Sequence, residues 1–393
     1  MSLKALTQEI RNLTGTPIAL TRGSSFTDKK AKKPKVLSHI PYRILDAPRL
    51  RNDFYSNLVA WSRMTGQVAV GLGIDVYIWT EYEGAVCLNI ANRTSPVMSL
   101  AFSETNILMI GYKSGKILMF DINKNKVHAR YNMIKNGVCC GLWSPGSSTT
   151  LFVGDEIGNV LCLRTTKNGT PPSGFISLEK VSILKAHQQQ ICGMAISPDN
   201  TQIAIGGNDN LCTVWDIRNI SEPKLQYRLP HKAAVKALAF CPWSSALLAT
   251  GGGSFDRTIR FWHTNSGTLL ESLEVQGQVT SLVWSRHYRQ IAATFGFSNP
   301  TQPKLVSVYS FPKCIPLVQV PATANLRVLS AVLSPDGVCI CVASNDETIR
   351  FYELWATKDK KVPHVLDYPQ SGMFGSDLIE LEEGIDKNYD IVR

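Results

Sequence analysis

The chain has 393 residues, 44% of them apolar and only 18% charged. That charged fraction is below the roughly 25% of an average soluble protein, and it suits strands that bury one face or both. No apolar run approaches 18 residues and no signal-peptide core is present, so the expectation is a soluble intracellular protein with no membrane contact.

The net charge of +10 is unevenly placed. Up to Phe54 there are 11 Lys/Arg against 4 Asp/Glu, densest at Lys29-Lys30-Ala31-Lys32-Lys33. From Leu366 onward 7 acids face 2 bases. A basic arm over 1–40 suits nuclear import, an acidic protein partner or nucleic acid. No aromatic-rich basic surface accompanies it, which argues against nucleic acid. The ten cysteines show neither C-x-x-C pairs nor Cys/His clusters. They read as small buried hydrophobes in a reducing compartment, without a metal or other cofactor.

Length alone suggests two or three domains, but internal repetition overrides that prior. Seven segments share one plan: an alternating strand, a turn, a second strand ending in small residues, a turn, and a third strand ending in an aromatic. In chain order they open with LVAWS (58–62), VMSLAFS (97–103), VCCGLWS (138–144), ICGMAIS (191–197), VKALAFC (235–241), VTSLVWS (279–285) and VLSAVLS (328–334). Their third strands close as VYIWT, ILMFDI, VLCLRT, CTVWDIR, TIRFWHT, VSVYSF and TIRFYEL. The spacing brackets the WD-repeat period, although only Trp215-Asp216 is a literal WD pair. The polar text from Thr165 to Val181 reads as a long loop within one blade connection.

One blade cannot bury both its faces, so the ring must close on itself. Residues before Leu58 or after Trp355 then have to supply a missing outer strand. The expected fold is all-β: a seven-bladed WD-repeat propeller over 41–355, a basic disordered arm over 1–40 and an acidic tail over 356–393. A propeller by itself says only that the chain is an interaction platform.

More specific text precedes the first blade. Pro41-Tyr42-Arg43-Ile44-Leu45-Asp46-Ala47-Pro48, continuing through Arg51-Asn52-Asp53-Phe54-Tyr55-Ser56-Asn57-Leu58-Val59-Ala60-Trp61-Ser62, resembles the entry segment of the Fizzy/Fizzy-related family. GGNDNLCTVWD (206–216), His231 with AVKALAFCPWSSALLATGGGSFDRTIRFW (234–262), and SPDGVCICVASNDETIRFYELW (334–355) resemble the same family's fourth, fifth and last blades. The resemblance runs from Pro41 to Trp355.

The resemblance implies a substrate-recruiting activator of the anaphase-promoting complex, a ubiquitin ligase. Such activators present the KEN and destruction-box degrons of cell-cycle proteins, such as cyclins and securin-like proteins, and do no chemistry themselves. It implies residence in nucleus and cytoplasm. It further implies a KEN site on the upper face, at Asn208, Asn210, Ser254, Gln278 and Arg327. Those residue types suit a Lys-Glu-Asn peptide: amides and a hydroxyl for the Lys and Asn, and Arg327 for the Glu carboxylate. All five are expected in turns at one end of their blades. The bland alternative is that Asn and Ser in turns cap local backbone.

Two features depart from the family. The destruction-box Arg is normally met by two acids in a groove between first and last blades. Glu347 keeps one, but Ala60 stands where the family has Asp, a loss on the order of 1 kcal/mol at an exposed site. Ligase docking normally uses an N-terminal C box and a C-terminal Ile-Arg. Met1 to Ile40 holds no match to the C box, and the chain ends Val392-Arg393. Val for Ile costs roughly 0.5–1.5 kcal/mol if buried, so a weakened but usable tail is expected. Meiosis-specific members of the family diverge in this manner.

Three other readings compete: an enzyme, a scaffold of another complex, and a non-docking paralogue acting as inhibitor or decoy. No Ser/His/Asp grouping or phosphate loop supports the first. His187 and His231 read as WD-repeat histidines that orient a turn, and Asp199, Asp209, Asp256 and Asp336 as repeat-equivalent turn residues. The entry segment argues against the second.

Overall fold

The computed structural model describes residues 40–355, apart from 92–93, 134–135, 148, 169–174, 299–302 and 324. Its first strand, β1 (Arg43–Asp46), is the last piece of the ring. Blade 1 follows as β2 (Val59–Trp61), β3 (Val68–Leu72), β4 (Asp75–Thr80) and β5 (Gly84–Cys87), and blade 2 as β6 (Val97–Phe102), β7 (Ile107–Tyr112), β8 (Lys116–Asp121) and β9 (Lys126–Asn132). Blade 3 comprises β10 (Val138–Trp143), β11 (Thr150–Asp155), β12 (Asn159–Asn168) and β13 (Phe175–Lys185). Blade 4 comprises β14 (Ile191–Ile196), β15 (Gln202–Gly207), β16 (Leu211–Asp216) and β17 (Lys224–Pro230). Blade 5 runs through β18 (Val235–Cys241), β19 (Ser244–Gly252), β20 (Thr258–His263) and β21 (Thr268–Glu274), and blade 6 through β22 (Gly277–Trp284), β23 (Gln290–Ser298), β24 (Lys304–Ser310) and β25 (Pro316–Pro321). Blade 7 has β26 (Val328–Leu333), β27 (Cys339–Ser344) and β28 (Thr348–Glu353), with β1 as its outer strand.

The missing outer strand therefore comes from before Leu58. β1 pairs antiparallel with β28, Arg43 opposite Phe351 and Asp46 opposite Thr348. Two further backbone bonds, Tyr42 N to Phe351 O (2.9 Å) and Ala47 N to Glu347 O (2.7 Å), extend the seam. A core cluster spans it, joining Leu58, Ala60 and Val97 to Ala343, Ile349 and Phe351. The ring so formed has no open seam between first and last blades, which is how propellers protect their edges.

The repeated serine that ends most first strands has a local cause. Ser197 Oγ accepts from Gln202 N (2.9 Å), Ser334 Oγ from Cys339 N (2.8 Å), and Ser103 Oγ from Ile107 N (3.0 Å). Each hydroxyl holds a backbone N–H across the first turn, the ordinary use of Ser at such positions. The aromatics closing third strands pack inward, with Phe120, Trp262, Tyr309 and Tyr352 all buried. Seven of the ten cysteines are buried as well.

Most of the stretch expected as a loop from Thr165 to Val181 is strand. Thr165 pairs with Leu178 and Thr166 with Ser177, and the hydroxyls of Thr166 and Ser177 lie 2.8 Å apart. β-branched residues and a cross-strand hydroxyl pair favour extension of the hairpin. The four aspartates expected at equivalent turns fall into two sets. Asp199 and Asp336 sit between first and second strands, while Asp209 and Asp256 sit between second and third, at the other end of the blade.

Candidate functional site

In an antiparallel blade the turn between second and third strands lies at the same end as the link that enters the first strand. Asn208 and Asn210 occupy the β15–β16 turn, Ser254 the β19–β20 turn, and Arg327 the link into β26. Glu347 lies in the β27–β28 turn of the same face. Gln278 departs from expectation. It lies within β22, it is buried, and its Oε1 accepts from Phe297 N at 3.4 Å. The cause is a break in the ladder between Gly277 and Val279. A bulge leaves one residue unpaired and re-aims its side chain, here against β23.

The same irregularity recurs at the head of the first strand in blades 2, 3, 4, 5 and 7. It leaves Met98, Cys139, Cys192, Lys236 and Leu329 outside the regular pairing. Lys236 is the exceptional one, a cation at 5% exposure in an otherwise apolar strand. Its Nζ donates to Phe54 O (2.5 Å), Ser56 O (3.0 Å) and Leu329 O (2.8 Å). The ammonium also faces the Phe54 ring at 5.2 Å.

Burial lowers the Lys236 pKa from 10.5 to about 8, against the pull of the Asp53 carboxylate. It is thus still charged at neutral pH, at a cost of about 3 kcal/mol. That cost is present below about pH 8 and is relieved as the pH rises toward 10.5, because the unfolded chain then binds more protons.

Contacts around the mouth form one series. Gln278 meets Phe297, and the Arg327 guanidinium lies over the Phe297 ring, 4.2 Å from its centroid. Arg327 also donates to Asn52 Oδ1 and has no acidic partner among the described residues. Three residues on, Tyr55 OH donates to Asn208 Oδ1 at 2.7 Å, and Asn208 Nδ2 donates to Gln189 Oε1 at 2.7 Å. The structure therefore links Gln278 to Arg327 through Phe297, and Arg327 to Asn208 through the entry segment.

Asn210 and Ser254 stand outside that series. Asn210 is exposed with φ of 65°, and its carbonyl accepts from His231 N at 2.9 Å. Asn tolerates that left-handed region better than most residues. The Ser254 carbonyl accepts from Arg257 Nε at 2.8 Å. Beside it Phe255 is 89% exposed.

Both turns rest on a histidine. His187 Nδ1 lies 2.7 Å from Asp209 Oδ1, and Thr213 Oγ1 accepts from Trp215 Nε1 (3.0 Å) while lying 3.2 Å from His187 Nε2. In blade 5, His231 Nδ1 is 2.5 Å from Asp256 Oδ2, and its Nε2 is 2.8 Å from Thr250 Oγ1, which also accepts from Trp262 Nε1. Burial pushes the His231 pKa below 6.5 against the attraction of Asp256. For Asp256 burial pulls the pKa up, but donors at His231, Lys232 N and Thr258 outweigh it and hold it well below 3.8.

The groove residues are not alike. Ala60 is buried in the core cluster at the seam. Glu347 is exposed with φ of 59°, and its Oε2 accepts from Arg49 N at 3.1 Å. Val392 and Arg393 lie outside the described residues.

The family model for the CDC20/Fizzy WD40 domain matches residues 45–352. The chain belongs to the CDC20/Fizzy family. It is similar to the meiosis-specific APC/C activator protein AMA1 of Saccharomyces cerevisiae, with 44% identity over 396 residues, 93% of this chain and 66% of that protein. It is also similar to meiotic fizzy-related protein 2 of Schizosaccharomyces pombe, with 35% identity, 89% of this chain and 70% of that protein. The chain spans about two thirds of the length of these curated relatives. Among solved structures, a chain in the crystal structure of the mitotic checkpoint complex matches with a TM-score of 0.71 and 32% identity, covering 86% of this chain and all of that one.

Sequence reasoning missed Tyr55, Lys236 and Phe297 as parts of this face. Lys236 carried a usable signal, a lone charge in the apolar text VKALAFC. Tyr55 and Phe297 carried none, because their roles depend on which blades the closed ring brings together.

Proposed function

We propose that this chain is a substrate-recruiting activator of the anaphase-promoting complex that binds KEN-type peptides on the face carrying Asn208 and Arg327. The observation that carries the reading is Arg327: a cation at the mouth of the ring, held by an amide oxygen and an aromatic ring and by no acid among the described residues. A guanidinium in neutral surroundings keeps its charge for an incoming carboxylate. Asn208 and Asn210, whose amides both donate and accept, suit the Lys and Asn beside it. The roles carried in the relatives' names, APC/C activation and meiosis, support assigning the chain to that complex in meiotic cells, with degron-bearing cell-cycle proteins as substrates.

Destruction-box binding at Glu347 is part of the same proposal, weakened by Ala60. Docking through Val392-Arg393 completes it. The test is titration of a labelled Lys-Glu-Asn peptide against wild type and Arg327→Ala, with a destruction-box peptide as control. The expected loss is about 5- to 150-fold for the first peptide, the equivalent of roughly 1–3 kcal/mol, and none for the second. Equal loss for both peptides indicates a damaged fold, and no loss for either refutes the site.

A further inference from the structure

Residues 52–56 do not follow the rim of the ring. They lead into blade 1, yet they contact blade 4 through Tyr55 OH on Asn208 and blade 5 through Lys236 on the Phe54 and Ser56 carbonyls. In a seven-membered ring blades 4 and 5 stand opposite blade 1, so the segment has to cross the channel mouth. Arg327, at the entry to blade 7, holds its start at Asn52. Lys236 ties the same strap to blade 7 through Leu329 O, at 2.8 Å.

We propose that this strap is a working part of the peptide-binding face: Asn52 and Tyr55 are positioning residues that set the orientation of Arg327 and Asn208, and Lys236 pegs the strap in place. The proposal rests on the peptide-binding reading above and adds residues that nothing in that reading assigns.

The chemistry favours positioning over competition. Arg327 has five N–H donors in a rigid plane. Asn52 takes one edge and Phe297 one face, which fixes the plane without neutralising the charge. A strap built to block the cation would offer it a carboxylate, and one is next in the chain. Asp53 instead turns back, its Oδ1 accepting from Tyr55 N at 3.0 Å. Asn208 is oriented likewise. With Oδ1 on Tyr55 and Nδ2 on Gln189 its amide cannot flip, yet one N–H and one lone pair remain for a ligand. Groups already held in their bound orientation lose less freedom on binding.

The test uses the full chain with two peptides, one carrying Lys-Glu-Asn and one Lys-Gln-Asn, alongside thermal melting. Asn52→Ala is expected to weaken the Glu peptide by about 3- to 10-fold, the scale of one oriented hydrogen bond, and the Gln peptide less, with melting unchanged. Asn52→Asp keeps the hydrogen bond but places a carboxylate on the guanidinium, so the preference for Glu over Gln should fall. A role in folding alone would not move that preference. Tyr55→Phe is expected to weaken both peptides by about 2- to 5-fold.

In the unliganded chain, Lys236→Met should speed amide exchange at Tyr55 and Ser56, and unchanged exchange would overturn its part as the peg. Unchanged or tighter binding in Asn52→Ala and Tyr55→Phe, while Arg327→Ala still weakens the Glu peptide, overturns the positioning role alone. If Arg327→Ala has no effect on the peptide, the peptide-binding reading has failed and the strap's role falls with it.

Discussion

The turn of blade 5 and the strap at the channel mouth both rely on buried polar groups, and they are secured in opposite ways. The turn is held within one blade: His231, Thr250, Asp256 and Trp262 form a single network in which the facing side chains of His231 and Asp256 have no solvent exposure. The strap is held from three blades, by partners as far away in sequence as Asn52 and Arg327. Its Asn52 end stays exposed. A closed local network stores stability, because each lost partner leaves a buried group unpaired. A partly open, long-range one leaves donors and acceptors available to a ligand. On the proposed reading the two regions divide the labour, folding in the first and recognition in the second.

That division is broken most severely by Asp256→Ala. It leaves the His231 ring, Lys232 N and Thr258 without their acceptor. The expected loss is about 3–5 kcal/mol, seen as an early midpoint in urea unfolding. The same pair sets a pH dependence. Both folded-state pKa values lie below the ordinary 6.5 of His and 3.8 of Asp. Groups shifted this way contribute stability that is fully present above their ordinary values and is lost as the pH falls toward the folded ones. Melting temperature should hold near pH 7 and decline below about pH 6.5, and His231→Gln should remove the upper part of that decline. A profile unchanged by His231→Gln would show that the brace does not govern acid stability.

Lys236→Met has the intermediate effect. Three carbonyls lose their donor, while the cost of the buried charge disappears. The opposing terms leave an expected loss of about 1–2 kcal/mol, measured by thermal melting. A loss as large as that of Asp256→Ala would make the strap a folding element after all.

Asn210→Gly should have the smallest effect on stability, under about 0.5 kcal/mol, because glycine accepts the positive φ at no steric cost. If the Asn210 side chain meets the peptide, affinity should still fall. Unchanged affinity would confine Asn210 to its turn, where its carbonyl holds His231 N.

How much was legible in the sequence follows from the range of each interaction. The seven-fold repeat and the His187 and His231 braces depend on residues within one repeat, and they were readable as such. So was the need for an outer strand from outside the seven units, although not which end would supply it. The stretch from Thr165 to Val181 misled because its polar composition hid two strands that pair across a hairpin, Thr165 with Leu178 and Thr166 with Ser177. Gln278 misled for a different reason: a bulge at the head of β22 turns it inward, and no composition signals a bulge.

The sequence by itself therefore determined the blade, its seven-fold repetition and the family. Those properties are written in local spacing and residue type. Only the tertiary structure decided that β1 closes the ring, that residues 52–56 cross its mouth, and that Lys236, Arg327 and Asn208 meet there. Their separation along the chain carries no local trace. Ring closure turns equivalent positions in different blades into neighbours, and the strap is what links them.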